Sequence, residues 1–155
     1  MFGIFAHFEI LLAATYAGVG ERAVEVAAEH VKTRKSVKNQ TVYANDPDIR
    51  WRIATAALEM NAVGPQIREL ARDVENGIDR GPIWMPQLSA VKNAASEASL
   101  RAVEQAIRAC GGSSYFNRSE LSRLYRDVVA GLFQPSDQES LHGAWANVIL
   151  GPVTK

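Results

Sequence analysis

Between Met85 and Cys110, alanine recurs at positions 90, 94, 95, 98, 102, 106 and 109. Intervals of three and four residues gather most of these methyl groups on one side of a helix. Alanine favours the helical backbone, and a side with little bulk lets a neighbouring helix come close. A chain with such a segment at its centre has to fold by packing helices together.

The flanking sequence agrees. From about His7 to Lys35, Leu11, Leu12, Tyr16, Val19, Ala23, Val26 and Ala27 keep helical spacing. Ala13, Ala17, Gly18 and Gly20 are expected to admit another backbone. Lys32, Arg34 and Lys35 lie in the last turn, where cations suit the helix dipole. Asp46 is read as an N-cap with Pro47 at the first helical position, opening a second helix to about Asn76. Gly64-Pro65 should bend that helix without ending it. Residues 77–82 read as a loop, and Gly111-Gly112 as the stop of the third helix. A fourth helix is expected from Ser119, its N-cap, to about Leu132. Pro135 then breaks the chain, and Ser136 is read as the cap of a short helix ending near Leu150. The expected fold is all-α: an antiparallel helical bundle of three long and two shorter helices, in one domain over residues 1–155.

Lys+Arg and Asp+Glu number 17 each, so no net charge draws the chain to nucleic acid or an anionic membrane. The apolar stretch 2–20 lacks a preceding basic residue and is interrupted by His7 and Glu9, so a buried helix is expected there, not a signal peptide or a membrane span. One cysteine, Cys110, excludes an internal disulfide and fits a reducing cytoplasm. His7, His30 and His142 have no partner at metal-ligand spacing, so no metal is expected. Cys110 reads as a packing residue.

Ala106 to Asp127 reads AIRACGGSSYFNRSELSRLYRD. A small-residue helix, Gly-Gly, an aromatic shortly after and a helix carrying Arg-Asp together resemble the acyl-CoA dehydrogenase family. The first helix, EILLAATYAGVGERAVEVAAEHVKTR, is similar to that family's alanine- and glycine-rich helix ending in arginine. The likeness covers nearly the whole chain and is to the C-terminal helical domain, in the branch shared with flavin monooxygenases. It implies an FAD-dependent oxidoreductase of acyl-CoA thioesters in fatty acid metabolism, whose N-terminal α and β domains stand outside these residues. It also implies FAD as cofactor, bound weakly or not at all by this domain alone. A homo-oligomer, or a partner chain supplying the other domains, follows from the same likeness.

Residue by residue, the resemblance assigns Arg34 to the FAD pyrophosphate, Gly111 and Gly112 to close backbone approach, and Ser136 to a cofactor contact. Three positions depart from the pattern. Lys35-Ser36-Val37 replaces Phe-Gly, and Arg108 replaces a glutamine. Gln134 or Pro135 stands where the usual catalytic glutamate is found, and neither can take a proton from carbon. Some members carry the base on the first helix, which makes Glu9 a candidate. The lost glutamate leaves two alternatives open: a flavin-dependent monooxygenase of the same fold, or a non-catalytic truncated or assembly bundle.

Overall fold

The computed structural model describes residues 2–38 and 40–154. It contains five α-helices: α1 (Phe2–Thr33), α2 (Pro47–Glu75), α3 (Trp84–Cys110), α4 (Glu120–Val129) and α5 (Gln138–Leu150). No strand occurs among the described residues; a single antiparallel bridge joins Lys35 and Val42 in the α1–α2 connection. The all-α bundle expected from the sequence is the fold observed.

The alanine-rich helix is the inner element. Along α3, Leu88, Val91, Ala95, Ala98 and Ala102 are buried against Ala13 and Ala17 of α1 and Ala56, Met60, Val63 and Leu70 of α2. Further along, Val103, Ala106 and Cys110 meet Tyr16, Ala23 and Ala27 of α1 and Leu121, Leu124 and Val128 of α4. At the crossing of α1 and α3 the Ser99 hydroxyl donates to the Tyr16 carbonyl at 2.6 Å. A Cβ on Gly20 would lie 2.4 Å from Met60 Sδ and 2.8 Å from Ser99 Oγ, so this close approach requires glycine. Gly18 has no such role: it is exposed, with open space where a Cβ would stand.

Local signals were obeyed where their partners are local. The Asp46 carboxylate accepts from the N–H groups of Asp48 and Ile49 at 2.9 and 3.1 Å. Helix α2 continues through Pro65. Helix α3 stops at Cys110, with Gly111 at φ 68°. Two caps differ from expectation. Ser119 holds the N-cap position of α4 without a side-chain cap bond. Asp137, not Ser136, caps α5 by accepting from the Ser140 N–H at 2.9 Å, because Ser136 is turned inward.

Helix α1 is also long and apolar enough, over Gly3–Thr33, to cross a membrane by length and composition. Here it is a bundle element whose Ala6, Glu9, Ala13, Tyr16, Ala23 and Ala27 are buried within the fold.

Candidate functional site

The residues singled out from sequence fall at two ends of α3. Ser89 and Gly111 are 22 positions apart, about 33 Å along a helix. The Gly111 end gathers Arg34, Gly111 and Gly112. Ser136, Gln134 and Glu9 belong to the other end.

At the Gly111 end, α1 finishes beside the finish of α3. The Arg34 guanidinium lies 5.4 Å from the Tyr43 ring centroid, and the Tyr43 N–H donates to the Arg34 carbonyl at 2.9 Å. His30 Nε2 is 3.4 Å from Ser113 Oγ. The Arg34 charge also reaches Cys110, although burial dominates there and pushes the thiol up to about 11. Cys110 is thus a packing group with almost no thiolate at neutral pH.

Gly111 and Gly112 are both exposed, with open space where a Cβ would point. Gly111 needs glycine for its backbone: φ 68° with ψ −154° is a region that side chains avoid. Gly112 has no positive φ and no crowding, so nothing within the described chain demands glycine there. A groove of about 420 Å³ on one side is lined by Ser36, Tyr43, Asn45, Arg108 and Gly111. A groove of about 760 Å³ on the other is lined by Arg108, Gly111, Gly112, Tyr115, Tyr125 and Arg126. Arg108 and Gly111 form the ridge between them. Exposed backbone flanked by guanidinium groups is chemistry that suits phosphate oxygens.

The other end is closed. Glu9 is fully buried, as is Lys92. Glu9 Oε1 accepts from the Ser136 N–H at 2.9 Å and the Ser136 hydroxyl at 3.3 Å. The Ser136 carbonyl accepts from Lys92 Nζ at 3.1 Å and Asn93 Nδ2 at 2.8 Å. Ser89 donates to the Ser136 hydroxyl oxygen at 2.9 Å. The polar groups of Ser136 are therefore all engaged inside the fold. Burial raises the Glu9 pKa, opposed by the Ser136 bonds and the Lys92 charge. Burial lowers that of Lys92, opposed by Glu9 and Asp137. Glu9 has no exposed surface, and its second oxygen, Oε2, is buried without a hydrogen-bond partner among the described residues. Gln134 is half-buried, Pro135 exposed.

Sequence reasoning passed over Lys92 and Arg108's place on the ridge. The signal for Lys92 was present: it stands four residues after Leu88 and three before Ala95, on the helix's own apolar stripe. His7 and His142 are exposed, and no cluster of three or more potential metal-binding side chains exists among the described residues.

The family model described as acyl-CoA dehydrogenase, C-terminal domain, matches residues 2–132. A Bacillus subtilis protein, YdbM, named as an acyl-CoA dehydrogenase, is 28% identical over 122 residues, which are 79% of this chain and 32% of that one. Butyryl-CoA dehydrogenase from Megasphaera elsdenii superposes with a TM-score of 0.84 at 19% identity, covering 94% of this chain and 37% of the other. Podospora anserina nitroalkane oxidase gives a TM-score of 0.87 at 19% identity over 99% of this chain and 36% of its own. The structural likenesses show a shared fold, and the chain spans about a third of the length of each of these relatives.

Proposed function

Since this chain belongs to the acyl-CoA dehydrogenase family through its C-terminal domain, we propose that it supplies the cofactor-facing helical part of an FAD-dependent oxidoreductase acting on acyl-CoA thioesters. The observation that carries the reading is the Gly111-Gly112 ridge. Its backbone is exposed, Arg108 lies on it, and Arg34 stacks over Tyr43, which lines one of the flanking grooves. Gly112 has no internal reason to be glycine, and an approaching pyrophosphate provides one. Bound FAD would supply the hydride acceptor. This chain's part is to pair Arg34 and Arg108 with phosphate oxygens and to let the cofactor meet bare backbone. Ser136, whose polar groups are committed to Glu9, Lys92, Ser89 and Asn93, has no share in that contact. The remaining flavin contacts and the acyl-CoA site fall to other domains, and the bundle serves as an oligomer core.

Adding FAD or ADP to the protein tests this through amide chemical shifts. Residues 34, 43, 111 and 112 are expected to move, with weak affinity, and Arg34→Ala to abolish the movement. Shifts confined to α5, or shifts at 111 and 112 that persist in Arg34→Ala, would remove the reading.

A monooxygenase reaction is the second reading, favoured by Gln134-Pro135 at the position where the resemblance places a glutamate base. Oxygen uptake by the flavin-reconstituted assembly, without desaturation of an acyl-CoA, would select it.

A further inference from the structure

Among the described residues, the largest side chain buried completely is a lysine. Removing an ammonium from water costs several kcal/mol unless its protons find acceptors. Lys92 spends all three. Nζ donates to the carbonyls of Gly131 and Gln134, each at 2.7 Å, and of Ser136 at 3.1 Å. An ammonium has three N–H groups, so it is saturated by main-chain oxygens from one short stretch of chain.

That stretch, residues 131–136, links α4 to α5 and has little apolar anchoring. Phe133 is 77% exposed and Pro135 is exposed as well. Polar contacts hold it instead. Lys92 and Asn93 take its carbonyls from α3, while Glu9 takes the Ser136 N–H from α1. Helix α5, which follows, contains no fully buried residue of its own.

The geometry points to Lys92 as a positioning residue: its ammonium is a tethered internal cation around which 131–136 wraps, with Glu9 fixing the Ser136 end. Lys92 thereby sets where Gln134 and the start of α5 stand. Its bearing on catalysis rests on the reading above, since this link replaces the family's base motif. The wrapping itself requires no cofactor.

Amide hydrogen exchange on Lys92→Ala tests it. Exchange at 131–136 is expected to rise at least about tenfold while the α2 core keeps its native amide chemical shifts, since links open locally. Methylammonium, which restores three N–H donors, should return protection to the link; tetramethylammonium, a cation without N–H, should not. Unchanged exchange in the link, or equal rescue by both cations, overturns the proposal. If the variant does not fold, the wild-type protein decides. Slowly exchanging Lys92 Nζ protons with scalar couplings to the carbonyl carbons of 131, 134 and 136 are expected, and their absence overturns it. These readouts contain neither FAD nor acyl-CoA, so their failure leaves the proposed function standing, and the loss of that function leaves them unchanged.

Discussion

Near the start of α3, Ser89, Lys92 and Asn93 are buried and turn their donors into the chain. At its end, Arg108, Gly111 and Gly112 stand exposed, with backbone facing open space. One helix thus carries two kinds of polar chemistry. Polar groups engaged with one another inside the fold hold a conformation and are closed to solvent. Polar groups left facing outward stabilise the fold little but remain available for binding. A fully buried carboxylate such as Glu9 therefore argues for architecture, whereas an uncrowded glycine such as Gly112 argues for contact with something else.

Mutation should separate the ends most sharply through stability. Lys92→Ala takes this donor from the Gly131 and Gln134 carbonyls, leaves the Ser136 carbonyl to Asn93 alone and leaves Glu9 without its neighbouring charge, a loss expected to cost about 3–5 kcal/mol. Arg108→Ala at the open end should stay within about 0.5 kcal/mol. Denaturant unfolding measures both. Similar losses for the two variants would break the comparison.

Within the open end the two glycines should differ. Gly111→Ala forces a side chain into a glycine-only backbone region, at a cost of about 1–3 kcal/mol. Gly112→Ala should leave the melting curve almost unmoved and weaken nucleotide binding. A Gly112→Ala protein that binds ADP as the parent does would assign the ridge a purely structural role.

The smallest effect is in pH dependence, where the ends should have opposite signs. Glu9 is raised above its ordinary 4.5 by burial, facing Lys92 from α3 with Asp137 beyond it at the α5 cap. Its contribution to stability is present below 4.5 and is lost as pH rises through the folded value. His30 is lowered from 6.5 by burial and by the Arg34 charge. Its contribution is present above 6.5 and is lost as pH falls through the folded value. Glu9→Gln should flatten the first slope and His30→Gln the second, read as melting temperature against pH. Slopes of the same sign would show that other groups dominate.

Much of this bundle was legible because its determinants are local. The alanine stripe of α3, the Asp46 cap and the stop at Cys110 each depend on residues within a few positions of one another. The open end was legible in part, through the Gly-Gly to Arg-Asp pattern. The closed end was not. Ser136 looks like a helix cap from its neighbours alone, and its true partner, Glu9, is 127 residues away. Lys92 was hidden by its type, since lysine is ordinarily a surface residue. Gly18 and Gly20 cannot be told apart by composition; only the crossing with Met60 and Ser99 shows which one is needed.

The buried state of Cys110 has a practical consequence. It is the one thiol in the sequence, and burial pushes it up to about 11, so maleimide reagents at neutral pH should leave the folded protein unlabelled. A cysteine introduced at Tyr115 or Phe133, both well exposed, could then carry a fluorophore or spin label without removal of the native residue. The same concealment makes Cys110 a clock for global opening: its rate of alkylation under native conditions counts how often the packing of α1, α3 and α4 comes apart.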